Sequence, residues 1–124
     1  PVSAAIGLAV LDVIRDERLM GHCDSLGARL MDGARALAVR HLAIGDVRGL
    51  GAMLAIELVH DPASKEPAPD LAAAVIEASL ERGLILLKAG ISGNCIRVLC
   101  PLTIEDAVLA EALAAWEDAL AVVL

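Results

Sequence analysis

Few side chains in this sequence have the type and setting to do chemistry, and Arg97 leads them. It lies inside Asn94-Cys95-Ile96-Arg97-Val98-Leu99-Cys100-Pro101-Leu102-Thr103, a short apolar run closed by proline. A guanidinium in such a run costs free energy unless an anion meets it. Its planar fork can grip a carboxylate through two parallel hydrogen bonds, which makes Arg97 a candidate anion receptor. The alternative is an edge-strand arginine that runs out to water or pairs with Glu57. Strand alternation puts Cys95, Arg97 and Leu99 on one face and Ile96, Val98 and Cys100 on the other.

The remaining candidates are weaker. Glu57 sits in an apolar stretch and has the chemistry of a general acid or base; a structural, arginine-paired acid has the same signature. Arg48, in Val-Arg-Gly, reads as an anchoring ion pair. Lys88 closes an apolar run, and nothing beside it argues for a depressed pKa, so it reads as a solvated strand end rather than a Schiff-base lysine. Cys95 and Cys100 read as small core residues, because no histidine is spaced to pair with them. As members of one strand they stand ~16 Å apart, beyond disulfide reach. His22, His41 and His60 have no metal-ligand spacing. Gly49-Leu50-Gly51 is too short for a phosphate-binding loop.

These groups must be positioned by a small domain. Its 124 residues suffice for a core, and 58% of them are apolar, with mean hydropathy +0.72. No run reaches the ~18 apolar residues of a membrane span, so the excess apolarity points to a surface that a partner domain or subunit covers. One Trp, no Phe or Tyr and a net charge of −7 leave neither stacking platforms nor a basic patch, which excludes nucleic-acid binding. Three cysteines give no disulfide framework and fit a reducing compartment. The start at Pro1 reads as a cut from a longer chain.

Apolar spacing predicts a helix from Ser3 to about Met20, apolar on both faces of its first half and ended by Gly21. A second helix is predicted from about Cys23 to Arg40, with Leu26, Leu30, Gly33 and Leu37 inward. Val47–Gly51 is short and glycine-punctuated, suggesting a bulge or a close backbone approach. Ala52–His60 alternates weakly and reads as a strand with both faces mostly covered. The Pro-rich Asp61–Pro69 is a loop. Asp70 is the expected N-cap of a helix over Leu71–Arg82, with Gly83 its stop. Leu84–Lys88 and Cys95–Cys100 form a hairpin around Ser92-Gly93-Asn94. Thr103 to Asp106 has the form of a capping box before a helix with Leu109, Leu113, Trp116 and Leu120 inward. The fold class is α+β: about three largely antiparallel strands covered by helices, in one domain over residues 1–124.

Three stretches resemble class III aminotransferases: Ile44 to Leu58, Arg82 to Leu87 and Ile96 to Ile104. The similarity runs along the whole chain and is nearest the bacterial 4-aminobutyrate type. It implies the C-terminal small domain of a fold type I, pyridoxal 5'-phosphate-dependent homodimeric enzyme of the cytoplasm. The cofactor residues would lie in a large domain outside this sequence; Lys65 and Lys88 do not match the family's lysine motif. The resemblance makes Arg97 the small-domain arginine that binds the substrate carboxylate, and Gly49 and Gly51 structural glycines. It assigns no catalytic, cofactor-binding or metal residue to this chain. It implies 4-aminobutyrate:2-oxoglutarate transamination by the intact enzyme and an inactive isolated chain, whose partners are the large domain, the dimer mate and small amino and keto acids, with no nucleic acid and no membrane. Lys88-Ala89-Gly90-Ile91-Ser92-Gly93 lacks the aromatic residues the family carries near its substrate. An acetylornithine, ornithine or diamine-derived donor therefore stays open, as does a stand-alone interaction or ligand-sensing module.

Overall fold

The N-terminal helical segment divides earlier than its glycine suggests. In the computed structural model, which describes residues 1–124, helix α1 spans Val2–Asp16 and helix α2 Leu19–Arg40. Arg18 takes the left-handed conformation (φ 52°, ψ 40°) and breaks the hydrogen-bond ladder. Gly21, expected to end the first helix, lies in the first turn of the second. No residue of α1 is buried; within this chain it packs only against α2, with Ile14 half-buried.

Five strands follow, two more than expected. They are β1 (Ile44–Leu50), β2 (Met53–Asp61), β3 (Glu66–Pro67), β4 (Leu87–Ala89) and β5 (Cys95–Leu99). Their order is β1-β2-β5-β4, with β3 on β2, and every pairing is antiparallel. The glycine-punctuated stretch is thus the second half of an edge strand, and its register irregularity falls at Ile44/Asp46, not at Gly49 or Gly51. Gly51 does make a close backbone approach. It turns the chain between β1 and β2 at φ +54°, and a Cβ added to Gly27 would land on its backbone. The Ala52 N–H donates to Cys23 Sγ at 3.4 Å beside this contact.

Two caps differ from expectation. Helix α3 spans Pro69–Glu81 with Ala68 at its N-cap and Pro69 in the first turn. Proline's fixed φ starts this helix. Asp70 sits inside it, 3.0 Å from His60 Nε2 of β2. Gly83, at φ +79°, ends it as expected. Helix α4 spans Asp106–Val123 and is capped by Glu105 without a side-chain bond, so Thr103 forms no capping box.

The helices cover one face of the sheet. Leu54, Ile56, Leu58, Ile96 and Val98 pack there against Leu26, Leu30 and Leu37 of α2, Ala72 and Val75 of α3, and Leu109, Trp116 and Leu120 of α4 in one continuous core. Gly33 is half-buried, and Ala34 takes the core position predicted for it. Full burial of side chains such as Ile56 and Ile96 contributes ~2 kcal/mol each. Ion pairs Arg29–Asp106 and Arg40–Glu117 join α2 to α4 at the rim. The α+β class stands, and the opposite face of the sheet carries no helix.

Candidate carboxylate site on the open sheet face

The pleat and the register bring the chemistry-bearing residues to the open face in three rows. Arg48, Ala55, Arg97 and Leu87 form one row across β1, β2, β5 and β4. Asp46, Glu57, Cys95 and Ala89 form the next. Leu50, Met53 and Leu99 form the third and are 86%, 54% and 60% exposed.

Arg48 is the hub of the charged residues. Its Nη1 donates to Asp46 Oδ2 at 2.6 Å and to Glu57 Oε2 at 2.7 Å. Its Nη2 lies 3.6 Å from Cys95 Sγ, two strands away. The small Ala55 between them leaves a lane over β2 for the Arg48 side chain. Its hydrogen bonds to Asp46 first, then to Glu57, raise the Arg48 guanidinium above its ordinary pKa, and it stays charged. Buried Asn94 fixes the far end of the cluster: its Nδ2 donates to the Leu58 carbonyl at 2.8 Å and lies 3.5 Å from Glu57 Oε1.

Arg97 has none of these partners. No ion pair of the chain includes it. The sequence left open that it pairs with Glu57; the Glu57 carboxylate goes to Arg48 instead. Arg97 is exposed between Ala55 and Leu87, with Leu99 next to it on its own strand face. It borders an apolar groove of about 490 Å³ lined also by Ile85, Leu87, Leu99 and Val108. A free, exposed guanidinium in apolar surroundings is suited to take a carboxylate from outside the domain.

The other sequence candidates are not assembled with it. Lys88 is exposed on β4, and Lys65 is in a surface loop at φ 56°. Cys95 is buried under Arg48, and burial pushes the Cys100 thiol above its ordinary pKa. Cys23, Cys95 and Cys100 are unpaired. Sequence reading took Arg48 for a local anchor and missed that it binds two acids from two strands. It placed Asn94 only in a turn and missed its approach to Glu57, which the fold alone brings about.

Similarity to known proteins identifies the family. The family model described as Aminotransferase class-III matches residues 1–120. The chain is 44% identical over 113 residues to 4-aminobutyrate aminotransferase GabT of Escherichia coli, covering 91% of this chain and 26% of that protein. It is 44% identical over 114 residues to 5-aminovalerate aminotransferase DavT of Pseudomonas aeruginosa, covering 92% and 27%. Among solved structures, a phospholyase from Arthrobacter in complex with phosphoethanolamine superposes with TM-score 0.90 at 34% identity, covering 98% of this chain and 29% of that one. An amine transaminase from an uncultivated Pseudomonas species, in its PLP-bound internal aldimine form, gives TM-score 0.85 at 30% identity, with 94% and 26% covered.

Pyridoxal phosphate, which that structure holds, does not fit the residues present here. Both lysines are exposed and outside the groove, and the single aromatic ring, Trp116, is locked in the core. The chain spans little more than a quarter of the length of the curated relatives it matches. A family match across nearly the whole chain, a shared fold and the Arg97 strand lead to one assignment: the chain belongs to the class III aminotransferase family.

Proposed function

We propose that residues 1–124 are the C-terminal small domain of a pyridoxal phosphate-dependent transaminase, and that Arg97 is the anchor for a substrate carboxylate. The observation that carries this reading is the unpaired Arg97 guanidinium on the open sheet face, beside a neighbouring guanidinium saturated by two acids. The intact enzyme would transfer an amino group from an ω-amino acid to 2-oxoglutarate. Equal identity to 4-aminobutyrate and 5-aminovalerate aminotransferases favours an unbranched ω-amino monocarboxylate with a single amino group over the acetylornithine, ornithine or diamine-derived donors that the sequence left open. The cofactor, bound outside this domain, supplies the amino-transfer chemistry. Arg97 holds the far carboxylate, and so fixes which carbon is presented to the reacting centre.

The exposed residues Leu50, Met53, Leu87 and Leu99 support a surface covered in the assembled protein, by the large domain or the dimer mate. The domain alone is inactive, because it lacks a lysine suited to the cofactor. A cytoplasmic place is the accompanying reading; no helix is long and apolar enough to cross a membrane.

The test is Arg97→Lys in the intact enzyme. Lysine keeps the charge and loses the fork, so KM for the carboxylate substrate should rise about ten-fold with a smaller change in kcat. Unchanged kinetics would remove Arg97 from the site. A stand-alone module is refuted by finding, in the native reading frame, a lysine-bearing large domain ahead of Pro1.

A further inference from the structure

The register gives Glu57 two arginines to choose between. Ala55 faces Arg48 on one side and Arg97 on the other, and Glu57 is the next residue on the same face of β2. Both guanidinia are therefore diagonal neighbours of one carboxylate, on opposite flanking strands, within the ~7–8 Å that long side chains span. Glu57 is given to Arg48.

Four features enforce that choice. Asp46 stands directly opposite Glu57, a pairing of like charges that is unfavourable on its own. Arg48 bridges both acids through Nη1 and converts the repulsion into a closed trio. Ala55 leaves the lane over β2 that lets Arg48 reach as far as Cys95, and Asn94 stands near the second Glu57 oxygen.

We infer that Arg48 is a positioning residue, which by clamping Asp46 and Glu57 keeps Glu57 off Arg97 and leaves the Arg97 guanidinium free for substrate. The inference rests on the anchoring role proposed above for Arg97. Without the Arg48 charge, Asp46 and Glu57 face each other unscreened. Glu57 then swings across the strand to the nearest free cation, Arg97. An internal carboxylate would occupy the fork that the substrate needs, and the loss would fall on substrate binding rather than on the chemical step.

The experiment uses the intact enzyme with Arg48→Gln, Arg48→Lys and the double variant Arg48→Gln/Glu57→Gln. Kinetics with 2-oxoglutarate and crystal structures of each are the two readouts. Arg48→Gln should place a Glu57 oxygen against Arg97 and raise KM about five-fold with kcat little changed, the size of one partly exposed carboxylate–guanidinium pair. Arg48→Lys should keep both acids and most of the affinity. The double variant should bring KM back to within about two-fold of the parent; a role confined to folding would not show this rescue split between KM and kcat. If Glu57 stays away from Arg97 in a folded Arg48→Gln enzyme, the clamp is overturned and the Arg97 reading stands. If Glu57 moves onto Arg97 and KM does not change, Arg97 is not the anchor and the proposed function fails.

Discussion

Replacing Gly27 by alanine sets two effects of opposite sign against each other. Gly27 lies inside α2, where alanine is favoured over glycine by ~1 kcal/mol. Propensity alone therefore predicts a more stable protein. The structure predicts the reverse. A Cβ on Gly27 would land on the Gly51 carbonyl carbon, its oxygen and its Cα. These are backbone atoms of a tight turn, and Gly51 is fixed there at φ +54°, so they cannot move aside as a side-chain tip would. Forcing α2 away from the turn also strains the Ala52 N–H to Cys23 contact. Overpacking of this kind costs ~1–3 kcal/mol, and backbone rigidity puts this case at the upper end. The net expectation for Gly27→Ala is a loss of ~1–2 kcal/mol, about 4 °C in Tm per kcal/mol for a domain of this size. Gly7→Ala is the control, since nothing lies within 4 Å of its added Cβ; it should gain up to ~1 kcal/mol from propensity. Urea unfolding followed by fluorescence of Trp116, the single and buried tryptophan, measures both. A Gly27→Ala variant as stable as the parent would refute the close approach of α2 to the β1–β2 turn.

Ile96 is fully buried at the centre of the sheet, so Ile96→Ala should cost ~2–5 kcal/mol in the same assay. Asp61 accepts N–H bonds from Ala63 and Ser64, which with the Ser64 side chain hold its pKa below the ordinary 3.8. Because the folded value is the lower one, the stabilisation is present above pH 3.8 and disappears as the pH falls through the lowered value. Amide exchange at Ala63 and Ser64 should accelerate in that window, and Asp61→Asn should remove the pH dependence. The raised pKa of half-buried Cys100 makes its thiol slower toward iodoacetamide at pH 8.5 in the native protein than after unfolding; equal rates would contradict its partial burial.

Much of the framework was legible in the sequence because α4 carries a clear apolar stripe, β2 and β5 are short apolar runs, and Gly83 marks the end of α3. The Leu109, Trp116 and Leu120 stripe points inward as its spacing demands. Strand β1 was missed because Gly45, Asp46, Arg48 and Gly49 interrupt any apolar alternation; it is specified by pairing with β2 rather than by its own propensity. The break between α1 and α2 was misplaced because its left-handed residue is Arg18 and not a glycine. Pro69 displaced the expected Asp70 cap because proline's fixed φ suits the first helical turn. At the site, Arg97 stood out as a charge in an apolar strand. Its isolation from Glu57 did not, since that depends on which of two diagonal arginines the acid takes, a choice made by Arg48, Asp46 and Asn94 together.

The central claim is that Arg97 receives a substrate carboxylate, and a ligand-side cycle tests it most directly. Inhibition of the intact enzyme by glutarate is compared with inhibition by its half-amide, in the parent and in Arg97→Gln. The account predicts that the parent prefers the dicarboxylate by about ten-fold and that Arg97→Gln abolishes the preference, a coupling of about 1.4 kcal/mol. The same preference in both proteins would contradict it.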